Sequence, residues 1–319
     1  KGKAKGKGKS FPDPPAIPHL QAAFPVPVVP TKADGTATQA VLLTTGESSA
    51  ALVLAAARNA AVAAAEVKLA GEAEPGDGHS VINVASHKGL DLMRAVVLEA
   101  FREDASSSLE GVDSAAQPWS WRFSVAGADL RAGWGAGLVL SVLAEQSGSQ
   151  RRVAVVYDAA RDELFSAISG SGAELNGRRL RVSPVSSLAA ATVSAEPAVD
   201  PASAQPCLQA LAALGAGPAG DVGAARPLAS AVRILGDAAL SLAWVAAGRL
   251  DAFYTFGEAG TIGAGALIVA EAGGNLTTCN GEPFAAGGPP GVSVDGSLCA
   301  SCGGAMHAEL LGVLDEAIG

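Results

Sequence analysis

Between Ile262 and Gly274 the chain reads Ile-Gly-Ala-Gly-Ala-Leu-Ile-Val-Ala-Glu-Ala-Gly-Gly. The spacing predicts a helix over Ile262–Ala272 that ends at Gly273–Gly274, where a residue without a Cβ closes the last turn. A helix that is apolar nearly all round has to be buried nearly all round, so it needs structure packed on both sides. Gly263 and Gly265 suit that setting because they let a neighbouring element come close. Upstream, Leu138–Leu143, Val153–Tyr157 and Glu163–Ile168 read as three consecutive strands with a turn at Asp158–Asp162. Helices and strands in irregular alternation point to a layered α/β or α+β protein.

The remaining elements follow the same signals. An Ala-rich helix is expected from Ser48 and Ser49 to about Leu69, and a second from about Ser86 to Phe101, with Leu90, Met93, Val97 and Ala100 at helical spacing. Residues 103–118 read as polar loop. Gly236–Gly248 reads as a compact helix and Asp251–Thr255 as a short strand. Short strands are expected near Asn275–Thr278 and Ser297–Ala300, and Ala305–Ile318 as a C-terminal helix.

Such a layered core needs apolar material, and 49% of the 319 residues are apolar against 17% charged, which excludes global disorder. The longest apolar runs, Ala50–Ala57 and Ala132–Ala144, fall short of the ~18 residues a membrane helix needs. Residues 1–37 differ from the rest. Pro12, Pro14, Pro15, Pro18, Pro25, Pro27 and Pro30 exclude a helix or central strand there, so this is an extended Lys/Gly/Pro-rich arm. Lys1, Lys3, Lys5, Lys7 and Lys9 hold five of the 22 basic residues, so the body is more acidic than the formal net charge of -9 suggests. An acidic body repels nucleic acid, which leaves any polyanion contact to the arm. The basic, acid-poor start without an initiator Met is compatible with a chain left after import into an organelle such as a plastid.

Two blocks carry a resemblance. One is Arg152-Val-Ala-Val-Val-Tyr-Asp-Ala-Ala-Arg-Asp-Glu-Leu-Phe165 with Gly172-Ala-Glu-Leu-Asn-Gly-Arg-Arg-Leu-Arg-Val-Ser183; the other is Leu235-Gly-Asp-Ala-Ala-Leu-Ser-Leu-Ala-Trp-Val-Ala-Ala-Gly-Arg-Leu-Asp-Ala-Phe-Tyr254 with Gly263–Gly274. Together they resemble the inositol monophosphatase family, within the lithium-sensitive, Mg-dependent sugar-phosphatase superfamily, over roughly residues 48–318. The resemblance implies a five-layer αβαβα sandwich over 38–319, with an N-terminal α+β half at 48–185 and a C-terminal α/β half at 186–319. It also implies carboxylates that hold two or three Mg²⁺ ions over a phosphate monoester, and usually a homodimer.

Placed residue by residue, the resemblance implies a degenerate site. The family's helix-start Asp falls on His87 and its loop Glu on Glu110. The central Asp-Pro-hydrophobic-Asp-Gly-Thr element, counted from Trp121, puts Ser124 and Gly127 at its two acids and Asp129 at its phosphate-cradling Thr. The Trp-Asp pair before the buried helix becomes Gly260-Thr261. On the substrate side Asp237 replaces a small hydroxyl residue, whereas Asp251 matches a family Asp and equally suits a turn before a strand. Three of four main carboxylate ligands are thus Ser124, Gly127 and Thr261, and the loss of one outer partner alone lowers metal affinity ~10–100-fold. Glu110 is the one surviving metal candidate. His87, Glu110, Asp129 and Glu258 could form a different site for a softer ion.

Cys207, Cys279, Cys299 and Cys302 are too scattered for a disulfide scaffold, and Cys299-Ala-Ser-Cys302 without a second pair is read as two buried thiols rather than zinc ligands. The expectation is a catalytically inactive family member that serves as a structural or interaction subunit of a larger assembly, without cofactor, through the arm and apolar surface. The alternatives are a Mg-dependent phosphomonoesterase on inositol phosphate or histidinol phosphate with altered ligands, and a small-molecule binding module.

Overall fold

The computed structural model describes Arg58 and residues 119–127, 138–146, 152–158, 160–197, 201–216, 228–256, 262–284 and 297–318. The arm at 1–37, the helices expected at 48–69 and 86–101 apart from Arg58, and the loop at 103–118 lie outside the described residues.

Six strands form an antiparallel sheet in chain order: β1 (Trp119–Gly127), β2 (Leu138–Gln146), β3 (Arg152–Asp158), β4 (Glu163–Ile168), β5 (Gly172–Leu175) and β6 (Arg178–Arg179). The β3–β4 turn is held by Asp158, whose carboxylate accepts from Ala160 N at 3.0 Å and Arg161 Nη1 at 2.7 Å. Strand alternation sends Ala154 and Val156 of β3 into the central core, on the same face as Val139 and Leu143 of β2.

The second sheet is mixed. Its strands are β7 (Thr192–Glu196), β8 (Ala231–Arg233), β9 (Ala252–Thr255), β10 (Asn275–Thr277) and β11 (Leu298–Ser301), in the spatial order β10-β11-β9-β7-β8. β7 pairs in parallel with β8 and β9, and β11 pairs antiparallel with β9 and β10. The chain's last strand therefore lies inside the sheet.

Among the described residues, helices α1 (Pro201–Ala216), α2 (Ala238–Ala246), α3 (Ile262–Glu271) and α4 (Gly304–Ile318) pack against these sheets. α2 and α3 lie between the sheets, where α3 packs on β2 to β5 and α2 on β9 and β3. The glycines of α3 permit this. A Cβ at Gly265 would sit 2.7 Å from Leu242 Cβ and 3.2 Å from Ala239 O, and one at Gly263 2.9 Å from Leu143 Cδ2. Gly273, at φ 89°, ends the helix as expected, with Gly274 N donating to Val269 O at 3.0 Å. α1 and α4 cover the far face of the second sheet, over a core that contains Tyr254, Cys299, Met306 and Leu310. On the outer face of the first sheet, helical Arg58 donates to Ser166 Oγ at 2.6 Å, where the fifth layer is expected. This is the layered α/β architecture.

Where the sequence reading named strands it was correct to within a few residues, but β1, β5 to β8 and α1 were not among them. α1 contains Pro206, which removes a helical donor, so its signal is weak.

Candidate functional site

The end of β7 and the start of α2 meet at a turn built by two carboxylates. Glu196 closes β7, and its Oε1 accepts from Leu235 N at 3.1 Å, Gly236 N at 2.9 Å and Ser241 Oγ at 3.4 Å. Asp237 follows directly, with extended backbone, and caps α2 by accepting from Leu240 N at 2.7 Å. Asp237 is only 5% exposed. Burial pushes its carboxyl up to about 6, the bond from Leu240 N works against that, and the neighbouring Glu196 carboxylate adds to it. Burial also raises Glu196, while the donors of Gly236 and Leu235 oppose the shift.

Asp251 lies at the start of β9 and joins several segments. Its carboxylate accepts from Ser183 Oγ at 2.5 Å and from Thr192 N at 2.7 Å. Its backbone N donates to Thr192 O at 2.9 Å and its carbonyl accepts from Cys302 N at 2.9 Å. The side chain sits where a turn before a strand needs an acceptor, and both oxygens are occupied by protein donors.

Ser124 and Gly127 lie on β1, in register with Ser141 and Leu138 of β2. The region therefore continues as regular paired strand through both positions. His87, Glu110, Asp129, Glu258, Gly260 and Thr261 lie outside the described residues. Mg²⁺ requires several hard, anionic oxygens in octahedral array. Among the described residues that donor set does not fit: Ser124 and Gly127 supply no carboxylate, while Asp237 and Asp251 turn theirs to protein donors. No group of three or more His, Cys, Asp or Glu there could hold a metal ion.

The four cysteines are all free and buried. Burial pushes the Cys207 thiol up to about 11 and Cys299 well above its ordinary value, so neither is a nucleophile near neutral pH. His307, at the start of α4, stands between Ser301 Oγ, 2.7 Å from Nδ1, and Thr277 Oγ1, 2.9 Å from Nε2.

A family model described as "Inositol monophosphatase family" matches residues 143–318, more than half of the chain. The chain belongs to the inositol monophosphatase family. "Inositol monophosphatase 2" of Solanum lycopersicum is 40% identical over 134 residues, 41% of this chain and 47% of that protein. "Nus factor SuhB" of Pasteurella multocida is 37% identical over 130 residues, 40% of this chain and 45% of that protein. The matches thus span about half the length of the curated relatives. The solved inositol monophosphatase from Anabaena (Nostoc) sp. PCC 7120 superposes with a TM-score of 0.65 at 25% identity, covering 84% of this chain and 96% of that one.

Of the candidate residues singled out in the sequence, the structure describes Ser124, Gly127, Asp237, Asp251 and the four cysteines, Cys207, Cys279, Cys299 and Cys302. It joins Asp251 to the Cys302 backbone, and Asp237 to the unanticipated Glu196. A signal for Glu196 did exist, since it is the one charged residue between Arg181 and Asp200. An acid alone in a run of small and apolar residues implies buried donors nearby.

Proposed function

We propose that this chain keeps the family fold for assembly rather than hydrolysis, as a catalytically inactive structural or interaction subunit. The observation that carries the reading is the use of carboxylates. β1 presents Ser124 and Gly127 where relatives are expected to place metal-binding acids. Asp237 and Asp251, the acids on the substrate side, are held by backbone and side-chain donors. An acid that caps its own helix also repels an incoming phosphate. The contacts are assigned to the N-terminal arm, whose Lys1, Lys3, Lys5, Lys7 and Lys9 carry the charge to meet a polyanion, and to apolar surface such as Leu208 and Ile234, 47% and 49% exposed. Several relatives carry the name Nus factor SuhB rather than inositol monophosphatase, which supports a family whose members are not all named for hydrolysis.

The test is hydrolysis of inositol monophosphate and histidinol phosphate with Mg²⁺ or Mn²⁺, alongside affinity purification from native extract at low salt. No metal-dependent turnover and a stoichiometric protein partner are expected. Metal-dependent turnover that disappears in Glu110→Ala would overturn the reading in favour of a phosphomonoesterase with altered ligands, which the relatives named inositol monophosphatase favour.

A further inference from the structure

We propose that Arg122 and Arg152, flanking Glu145 on the first sheet, form a binding site for a small oxyanion, with a phosphate group as the ligand. β2 lies between β1 and β3, with Glu145 directly opposite Arg152 and with Arg122 opposite Leu143, two residues along from Glu145. The pleat places all three side chains on the face that also carries Leu143. Arg122 Nη2 meets Glu145 Oε2 at 2.6 Å, with the two side chains 40% and 23% exposed. Among the described residues, one carboxylate thus lies between two guanidinium groups.

Arg152 is the decisive member. Its Nη1 is buried and meets no acceptor, while the residue as a whole is half-buried, so part of it still meets solvent. Its backbone is fixed, since Arg152 N donates to Ser169 Oγ at 3.0 Å and Arg152 O accepts from Ser169 N at 2.9 Å. A guanidinium with a buried nitrogen that lacks an acceptor gains from an anion, and its planar fork suits an oxyanion with two or more oxygens. A phosphate has enough oxygens to take a fork from each arginine; a monocarboxylate does not. The place is set apart from the family's acid positions by Arg152, since Glu145, directly opposite it, lies four residues along β2 from Ser141, the partner of Ser124, roughly 13 Å of strand.

The experiment is calorimetric titration of the full chain with inorganic phosphate at constant ionic strength. One saturable site is expected, weakened tenfold or more by Arg152→Gln and several-fold by Arg122→Gln, and unchanged by Arg178→Gln on the β6 edge. Arg152→Lys, which keeps the charge but not the fork, is expected to fall between wild type and Arg152→Gln, and Arg122→Gln decides the matter should Arg152→Gln fail to fold. Absence of saturable binding in the wild type, equal binding in both glutamine variants, or equal competition by acetate would overturn the assignment.

Discussion

The helices α2 and α4 both begin beside a buried titratable side chain, and they treat it in opposite ways. At α2, Asp237 caps the helix next to Glu196, so two acids share one partly dry environment. At α4, His307 faces uncharged groups: the hydroxyls of Ser301 and Thr277, and the Cys299 thiol 3.9 Å from Nδ1. Thr277 Oγ1 donates to the Thr278 carbonyl at 2.8 Å, which leaves its oxygen to accept from Nε2–H, and the Ser301 hydroxyl then donates to Nδ1. Hydroxyls can reverse direction to suit either protonation state, whereas two carboxylates can relieve their repulsion only by taking up a proton. The α4 junction is therefore satisfied as it stands near neutral pH, and the α2 junction carries a standing electrostatic penalty.

Asp251 shows what a buried carboxylate does when it has enough donors, and it sets the top of the scale. Asp251→Ala is expected to lose about 3 kcal/mol, because Ser183 Oγ and Thr192 N lose a charged acceptor, as measured by chemical denaturation. His307→Ala should lose about 2 kcal/mol, since the Ser301 and Thr277 hydroxyls are left facing a cavity, and His307→Gln roughly half as much. Asp237→Asn is expected to act in the other direction. Asn keeps the capping oxygen and removes the like charge, so a gain of about 1 kcal/mol at pH 7.5 is expected. If Asp237→Asn destabilises instead, the contrast between the two helix ends is wrong.

The pH dependence separates the two ends further. The folded-state value of Asp237, about 6, lies above its ordinary value of 3.8, so the native state binds the extra proton. Its contribution is greatest below about 4 and declines as pH rises to about 6. His307 is lowered from 6.5 by burial, so its contribution is full above 6.5 and declines as pH falls through the lowered folded value. Thermal melts from pH 4 to 8 should thus show opposing slopes, removed one at a time by Asp237→Asn and His307→Gln. The smallest effect is expected at the surface. Arg249 pairs with Glu163 through two bonds of 2.5 and 2.6 Å and lies over the Trp244 ring at 5.6 Å. At 36% side-chain exposure, Arg249→Ala should lose no more than about 1 kcal/mol.

What could be read from the sequence follows from where the physics is local. α3 announced itself through Gly263, Gly265 and the Gly273–Gly274 stop, and β3 and β4 through short apolar runs on either side of a polar turn. β1 also carries a strand signal, with Trp119, Trp121, Phe123 and Val125 in strict alternation. That period of two marks a strand that has one apolar, aromatic-rich face. The α2 turn could not be read in this way. Glu196 reaches Gly236 across 40 residues of chain, and no local pattern encodes a partner that distant. The role of Asp251 remained open between ligand and turn in the sequence, and only the positions of Ser183 and Thr192 show that its oxygens serve the fold.

The place of β11 within its sheet has a consequence for how the chain is made. Leu298–Ser301 is inserted between β9 and β10, although all the other strands of that sheet precede it in the chain. On a ribosome working from the N-terminus, β9 keeps an open edge and β10 has no neighbour until these last four residues emerge. Premature termination just before residue 298 would thus remove a mid-sheet strand, leaving an aggregation-prone product rather than a slightly shorter protein.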